Sequence, residues 1–118
     1  MKALIIIDHG SKKNIANNLL NDIAAAVQEK RNNLIVEPAH MELAEPSIPT
    51  AIQNCIKKGA KRIIFQPYML GPGRHVQEDI PRIIKKNMQN YPTVSYEYTK
   101  YLGFDNALVD LILKRSHL

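Results

Sequence analysis

Short apolar runs alternate four times with stretches whose apolar residues recur at helical spacing, and no linker, repeat or low-complexity stretch separates the units. Ala3-Leu4-Ile5-Ile6-Ile7 predicts a first strand ending at Asp8-His9-Gly10-Ser11. Ile15, Leu19, Ile23 and Val27 then predict a helix reaching about Glu29. Leu34 to Pro38 reads as the second strand. Ser47 is a good N-cap for a helix that buries Ile48, Ala51, Ile52, Cys55 and Ile56, with Gly59 as its stop. Arg62 to Gln66 reads as a third strand, of the kind covered on both faces of a parallel sheet. The third helix runs from about Val76 to Gln89 with Ile80, Ile83, Ile84 and Met88 inward. Pro81 requires its regular part to begin near Asp79, because proline fits a first turn and breaks an interior. A fourth strand, Thr93 to Tyr98, precedes a helix after Gly103 that turns Leu108, Leu111 and Ile112 inward. Repeated βα units predict an α/β fold: a single-domain parallel sheet of about four strands, residues 1–118, with helices on both faces. Flavodoxin-like strand orders are the natural candidates, but the pattern does not choose among them.

Composition narrows this picture. At 118 residues, 45% hydrophobic and 23% charged, the chain can bury a core of its own. No apolar run reaches the length of a membrane span, and the opening apolar stretch ends in an acid rather than a cleavage site. A lone cysteine, Cys55, excludes an internal disulfide, shares a face with three isoleucines, and cannot by itself hold an iron–sulfur cluster. It suits a reducing compartment, the cytoplasm or, for an algal protein, the plastid stroma. The net charge of +5 attracts polyanions, yet no dense Lys/Arg stripe with interleaved aromatics favours nucleic acid. A small polycarboxylate substrate accounts for the excess equally well.

Candidate chemistry clusters where the strands end. In an open parallel sheet, ligands bind beyond the carboxyl ends of the strands. Three successive strands lead there into Asp8-His9, into His40-Met41-Glu42 and into Gly71-Pro72-Gly73-Arg74-His75. His9 either faces a ligand or merely plugs a strand end. Beside it, the Ser11 hydroxyl and the helix-start N–H groups suit a carboxylate. His75 closes a loop in which Gly71 and Gly73 permit positive φ and Pro72 adds stiffness, the character of a placed site; the alternative is a solvated turn. Glu42 has no evident structural task, whereas Glu45 can serve the start of the next helix. His40 either points with Glu42 or is a hydrogen-bonded structural group. Two imidazoles and a carboxylate suit Fe(II), Co(II), Ni(II) or Zn(II) without choosing one. Walker, dinucleotide and nucleophile-elbow motifs are absent.

The same segments resemble the small class II tetrapyrrole chelatases, the sirohydrochlorin chelatase family. The resemblance spans nearly the whole chain. It rests on Asp8-His9-Gly10-Ser11, on Met41-Glu42-Leu43-Ala44-Glu45-Pro46-Ser47-Ile48, on Gly59-Ala60-Lys61-Arg62-Ile63 and above all on Pro72-Gly73-Arg74-His75-Val76-Gln77-Glu78-Asp79-Ile80-Pro81. The siroheme-branch ferrochelatases of plants, algae and cyanobacteria are most similar. By that resemblance His9 and His75 are the metal-binding and catalytic histidines and Glu42 their acidic partner. Ser11, Lys12 and Arg74 are then expected at the carboxylates of the substrate, sirohydrochlorin. The resemblance implies Fe2+ or Co2+ as the inserted metal, with Ni2+ a third choice, taken as substrate rather than as a permanently bound cofactor. The resemblance also implies a homodimer, with no nucleic-acid or membrane partner. The cysteine-containing C-terminal extension that carries an iron–sulfur cluster in the plant enzymes has no counterpart in these 118 residues, so that cofactor is not expected. Both imidazoles should line a shared cavity that one chain walls only in part. Rival readings are a metal-delivery protein without turnover and a flavodoxin-like binding module.

Overall fold

A computed structural model describes residues 1–118. Four parallel strands, β1 (Lys2–Asp8), β2 (Leu34–His40), β3 (Arg62–Pro67) and β4 (Ser95–Tyr98), lie in the order β2-β1-β3-β4. This is the flavodoxin-like beginning, with a change of direction between β1 and β3, the place at which sheets of this kind take their ligands. The register sets Asp8 opposite His40 and Ile7 opposite Pro67, so the chain leaves β1, β2 and β3 at one level.

Helices cover both faces. On one, α2 (Ile48–Lys57) and α3 (Ile80–Met88) bury Ile5, Ile7, Ala39, Ile63 and Phe65. On the other, α1 (Asn14–Lys30) covers Ile6 and Val36 through Leu20 and Ala24. The Ser47 hydroxyl caps α2 by accepting from the Thr50 N–H, and Gly59 ends it at φ 94°. Cys55 packs within the larger core, where burial pushes its thiol up to about 12. That is the inert thiol its helical face predicts.

The structure corrects several expectations. β2 runs on to His40, so His40 is a strand residue and not part of the loop beyond. Ile15 and Leu19 do not face the core: Ile15 is 88% exposed, and the buried stripe is Asn17, Leu20 and Ala24. The cause is local. Asn17 turns inward to grip the Ser11 backbone, accepting from its N–H (3.0 Å) and donating to its carbonyl (2.7 Å), which sets the rotation of α1. β3 is fully buried on one face only; Ile63, Phe65 and Pro67 are inside while Arg62, Ile64 and Gln66 are half covered. β4 starts two residues late, at Ser95. The largest departure is α4 (Asn106–Ser116), which buries none of its residues: Leu108 is half-buried, while Leu111 and Ile112 are exposed. The helix does not return to its own sheet. No helix is long and apolar enough to cross a membrane.

Pro81 behaves as its chemistry demands. The regular helix α3 starts at Ile80, and His75–Asp79 before it form a π-helical turn in which the Ile80 N–H reaches the His75 carbonyl. Proline brings no N–H to extend that wider ladder. The Val76 carbonyl, five residues before it, instead accepts from the Tyr98 hydroxyl at 2.7 Å.

Candidate active site

Strand pairing does not stop where the strands do. Beyond β1 and β2 the Met41 N–H donates to the Asp8 carbonyl (2.9 Å) and the Glu42 N–H to the His9 carbonyl (3.1 Å). These two bonds carry the alignment one step past the sheet and bring His9 Nε2 to 3.0 Å from Glu42 Oε1. Gly10 makes the approach possible. It adopts φ 95°, and a Cβ built there would stand 1.8 Å from the Glu42 carbonyl oxygen. Leu43, directly after Glu42, also takes a left-handed backbone (φ 71°), which costs a non-glycine residue about 1–2 kcal/mol.

His75 enters from the π-turn after β3. Its ring meets the His9 ring edge-on, with centroids 4.9 Å apart and planes at 60°. Two imidazoles and a carboxylate from three separate chain segments therefore share one place at the carboxyl edge of the sheet. All three side chains are about half exposed. They do not form a ready-made cage, because no three His, Cys, Asp or Glu side chains converge at ion-binding spacing.

His40 does not point with Glu42. It is buried, and its Nδ1 lies 2.6 Å from Asp8 Oδ1, so the structural alternative holds. The extended geometry ends with β2 at His40 and the chain bends from Met41 onward, so the alternation that would set His40 and Glu42 on one side does not reach Glu42. Glu45 serves α2, its Oε1 accepting from the Ser47 N–H and the Thr50 hydroxyl, each at 3.0 Å. Ser11 is engaged within its own turn, where its hydroxyl oxygen accepts from the Lys13 N–H. Lys12 is exposed, and Arg74 extends into solvent 3.8 Å from Glu78. Neither Gly71 nor Gly73 uses the left-handed region; positive φ falls at Gly10, Gly59 and Gly103.

One side chain at the site escaped sequence reasoning. Asp79 Oδ2 lies 2.8 Å from His75 Nδ1, and Asp79 Oδ1 accepts from Arg82 at 2.7 Å. The His75 hydrogen bond, and after it Arg82, hold the Asp79 carboxyl below the usual carboxylate range. Its signal was the spacing of four between His75 and Asp79 on a helical segment.

The expected cavity between the imidazoles is absent; they sit on open surface. The single large groove, about 690 Å³, lies between Tyr68–Leu70 and α4, with Phe104, Leu108 and Ile112 among its walls and Arg115 at its margin. It opens beside the loop that leads from β3 to His75.

Comparison with known proteins gives one answer. Residues 3–117 match the family described as CbiX. The chain is 43% identical over 112 residues to the chloroplastic sirohydrochlorin ferrochelatase of Arabidopsis thaliana, covering 95% of itself and 50% of that protein. It is 33% identical over 140 residues to the sirohydrochlorin cobaltochelatase of Methanocaldococcus jannaschii, covering 98% of each. The solved structure of SirB from Bacillus subtilis with Fe3+ superposes with a TM-score of 0.90 at 29% identity, over 97% of this chain and 45% of that one. The chain thus spans about half the length of the Arabidopsis and Bacillus proteins and nearly all of the archaeal one. On its sequence match, its strand order and the likeness of its fold, the chain belongs to the CbiX family.

Proposed function

We propose that residues 1–118 form a chelatase domain that inserts a divalent metal, Fe2+ first and Co2+ next, into sirohydrochlorin, for siroheme or cobalamin synthesis. The observation that carries this reading is the edge contact of His9 and His75 beside Glu42. Relatives named as sirohydrochlorin ferrochelatase and cobaltochelatase support the substrate and both metals. The metal is substrate, bound in passing, and no resident cofactor is needed. Ni2+ insertion uses the same donors and differs only in the ion supplied.

Insertion removes two pyrrole protons and exchanges water on the cation for ring nitrogens. Neutral imidazoles serve as nitrogen donors to the cation while water is stripped from it, and can accept protons. In this reading His9 and His75 hold the metal. Glu42 balances its charge and takes the two pyrrole protons in turn, each passing to solvent from its exposed carboxylate before the next is accepted. Lys12 and Arg74 meet peripheral carboxylates of the macrocycle, Arg74 with a fork suited to two oxygens. Ser11 holds the turn that presents them and offers its hydroxyl proton.

A second copy of the chain completes the wall over this open site. Support comes from α4, which carries six apolar residues between Ala107 and Leu113 and buries none of them, and from relatives of twice this length. The single, buried cysteine suits the cytoplasm or, in an alga, the plastid stroma.

The test is an anaerobic insertion assay with Fe2+, Co2+ and Ni2+ in parallel, read by the absorption spectrum of the tetrapyrrole. His75→Ala should abolish insertion and leave the far-UV circular dichroism unchanged. Full turnover in that variant refutes the site. A metal-delivery protein would bind the ion and leave the spectrum of sirohydrochlorin unaltered over time.

A further inference from the structure

Imidazole has two nitrogens, and a metal donor must keep a lone pair on the one that faces the ion. His75 Nδ1 faces Asp79 Oδ2 at 2.8 Å. An ionised carboxylate only accepts, so in the neutral ring the hydrogen belongs on Nδ1 and the lone pair on Nε2. The other carboxylate oxygen is also committed, because Arg82 donates to Asp79 Oδ1 at 2.7 Å. With one oxygen on the ring and one on the guanidinium, the carboxylate cannot turn without breaking a bond.

The backbone fixes the pair as firmly. Both residues lie in the π-turn His75–Asp79, whose wider winding comes immediately before Pro81. His9 is placed differently: its Nδ1 lies 3.0 Å from the carbonyl oxygen of Gly10 and its Nε2 3.0 Å from Glu42 Oε1, so two acceptors compete for its hydrogen. Of the two histidines, His75 alone is anchored through Nδ1 by a carboxylate and leaves Nε2 without a protein acceptor.

We propose that Asp79, clamped by Arg82, is the positioning residue that holds His75 in its Nδ1–H form and aims the Nε2 lone pair at the incoming metal. This rests on the assignment of His75 to the metal. The plain alternative is a helical surface ion pair that adds a little stability and does nothing for the ring. The two differ in what removing the carboxylate changes. A structural pair moves the melting temperature. A positioning pair moves the tautomer and the metal affinity.

The tautomer is read on the metal-free protein by long-range 1H–15N correlation of the histidine rings, above the pH at which they titrate. Metal affinity is read by titration with Co2+ alone, following its d–d absorption. Wild type should show His75 as Nδ1–H. Asp79→Ala should return the ring to a mixture rich in Nε2–H and weaken Co2+ binding by about 10–100-fold, the usual cost of losing a partner of a metal-bound histidine. Arg82→Gln, which keeps the carboxylate but frees it to rotate, should give a smaller loss in the same direction. Asp79→Glu should recover part of the affinity. An Nε2–H ring in wild type, or Co2+ binding undiminished in Asp79→Ala, overturns the proposal. Should wild type fail to bind Co2+ at all, the chelatase reading falls, while the tautomer measurement still decides what Asp79 does to His75.

Discussion

At the residue scale, the site depends on a short list of contacts that admit no substitute. Gly10 is the tightest. Adding even a methyl group would drive a carbon to 1.8 Å from the Glu42 carbonyl oxygen, on a backbone already at φ 95°. Relief requires the Glu42 loop to move away from His9. Gly10→Ala is therefore expected to cost at least about 2–3 kcal/mol in urea unfolding. It should also lower insertion by about 100-fold, the penalty of misplacing a catalytic group by an ångström. A variant with wild-type turnover and midpoint would show that the close approach of the two loops is unimportant. His40 and Asp8 make the opposite point. Sequence position alone made His40 a possible partner of Glu42, but β2 ends at His40 and the chain bends beyond it, which leaves the imidazole in the core, where Asp8 satisfies it.

The element scale is governed by Pro81, whose missing N–H shapes the helix start around it. The π-turn before it lifts His75 to the level of His9, and Tyr98 at the end of β4 ties that turn down through the Val76 carbonyl. Burial pushes the Tyr98 phenol up to about 12. The folded protein therefore keeps this proton more tightly than the unfolded chain, whose tyrosine ionises near its ordinary value of 10.0. Stability from this group is complete below pH 10 and is lost as pH rises through 12. Tyr98→Phe should cost about 1 kcal/mol at pH 8 and lack that alkaline loss. Urea midpoints of the two proteins, compared from pH 8 to 11.5, check both statements. Parallel curves would mean that the hydroxyl is not held as the structure has it.

For the whole molecule, α4 sets the terms. It is apolar on most of its circumference, Ile112 is 63% exposed, and it flanks a groove of about 690 Å³. Helices of this composition need cover on more than one side. A two-fold pairing that places one chain's α4 against its partner would bury this surface and roof the histidines at once. We expect sedimentation equilibrium to report a dimer at micromolar concentration. Ile112→Asp should yield monomers with much reduced insertion. A fully active monomer would remove the reason for a second copy.

The sequence alone determined the elements and the neighbourhood of the chemistry. Its alternation of short apolar runs with helical periods specified a parallel α/β sheet, because each pattern buries only in one geometry. Its motifs brought His9, Glu42 and His75 to one edge, since every right-handed βα unit delivers its strand ends to the same side. Tertiary structure decided what local pattern cannot express. Ile15 and Leu19 face outward because Asn17 must reach the Ser11 backbone. Leu111 and Ile112 share the spacing of buried residues yet stay exposed, because periodicity reports that a face wants covering and not which surface covers it. The same holds for Asp79: its spacing from His75 was visible, but only the π-turn and the two committed carboxylate oxygens reveal what the pairing does.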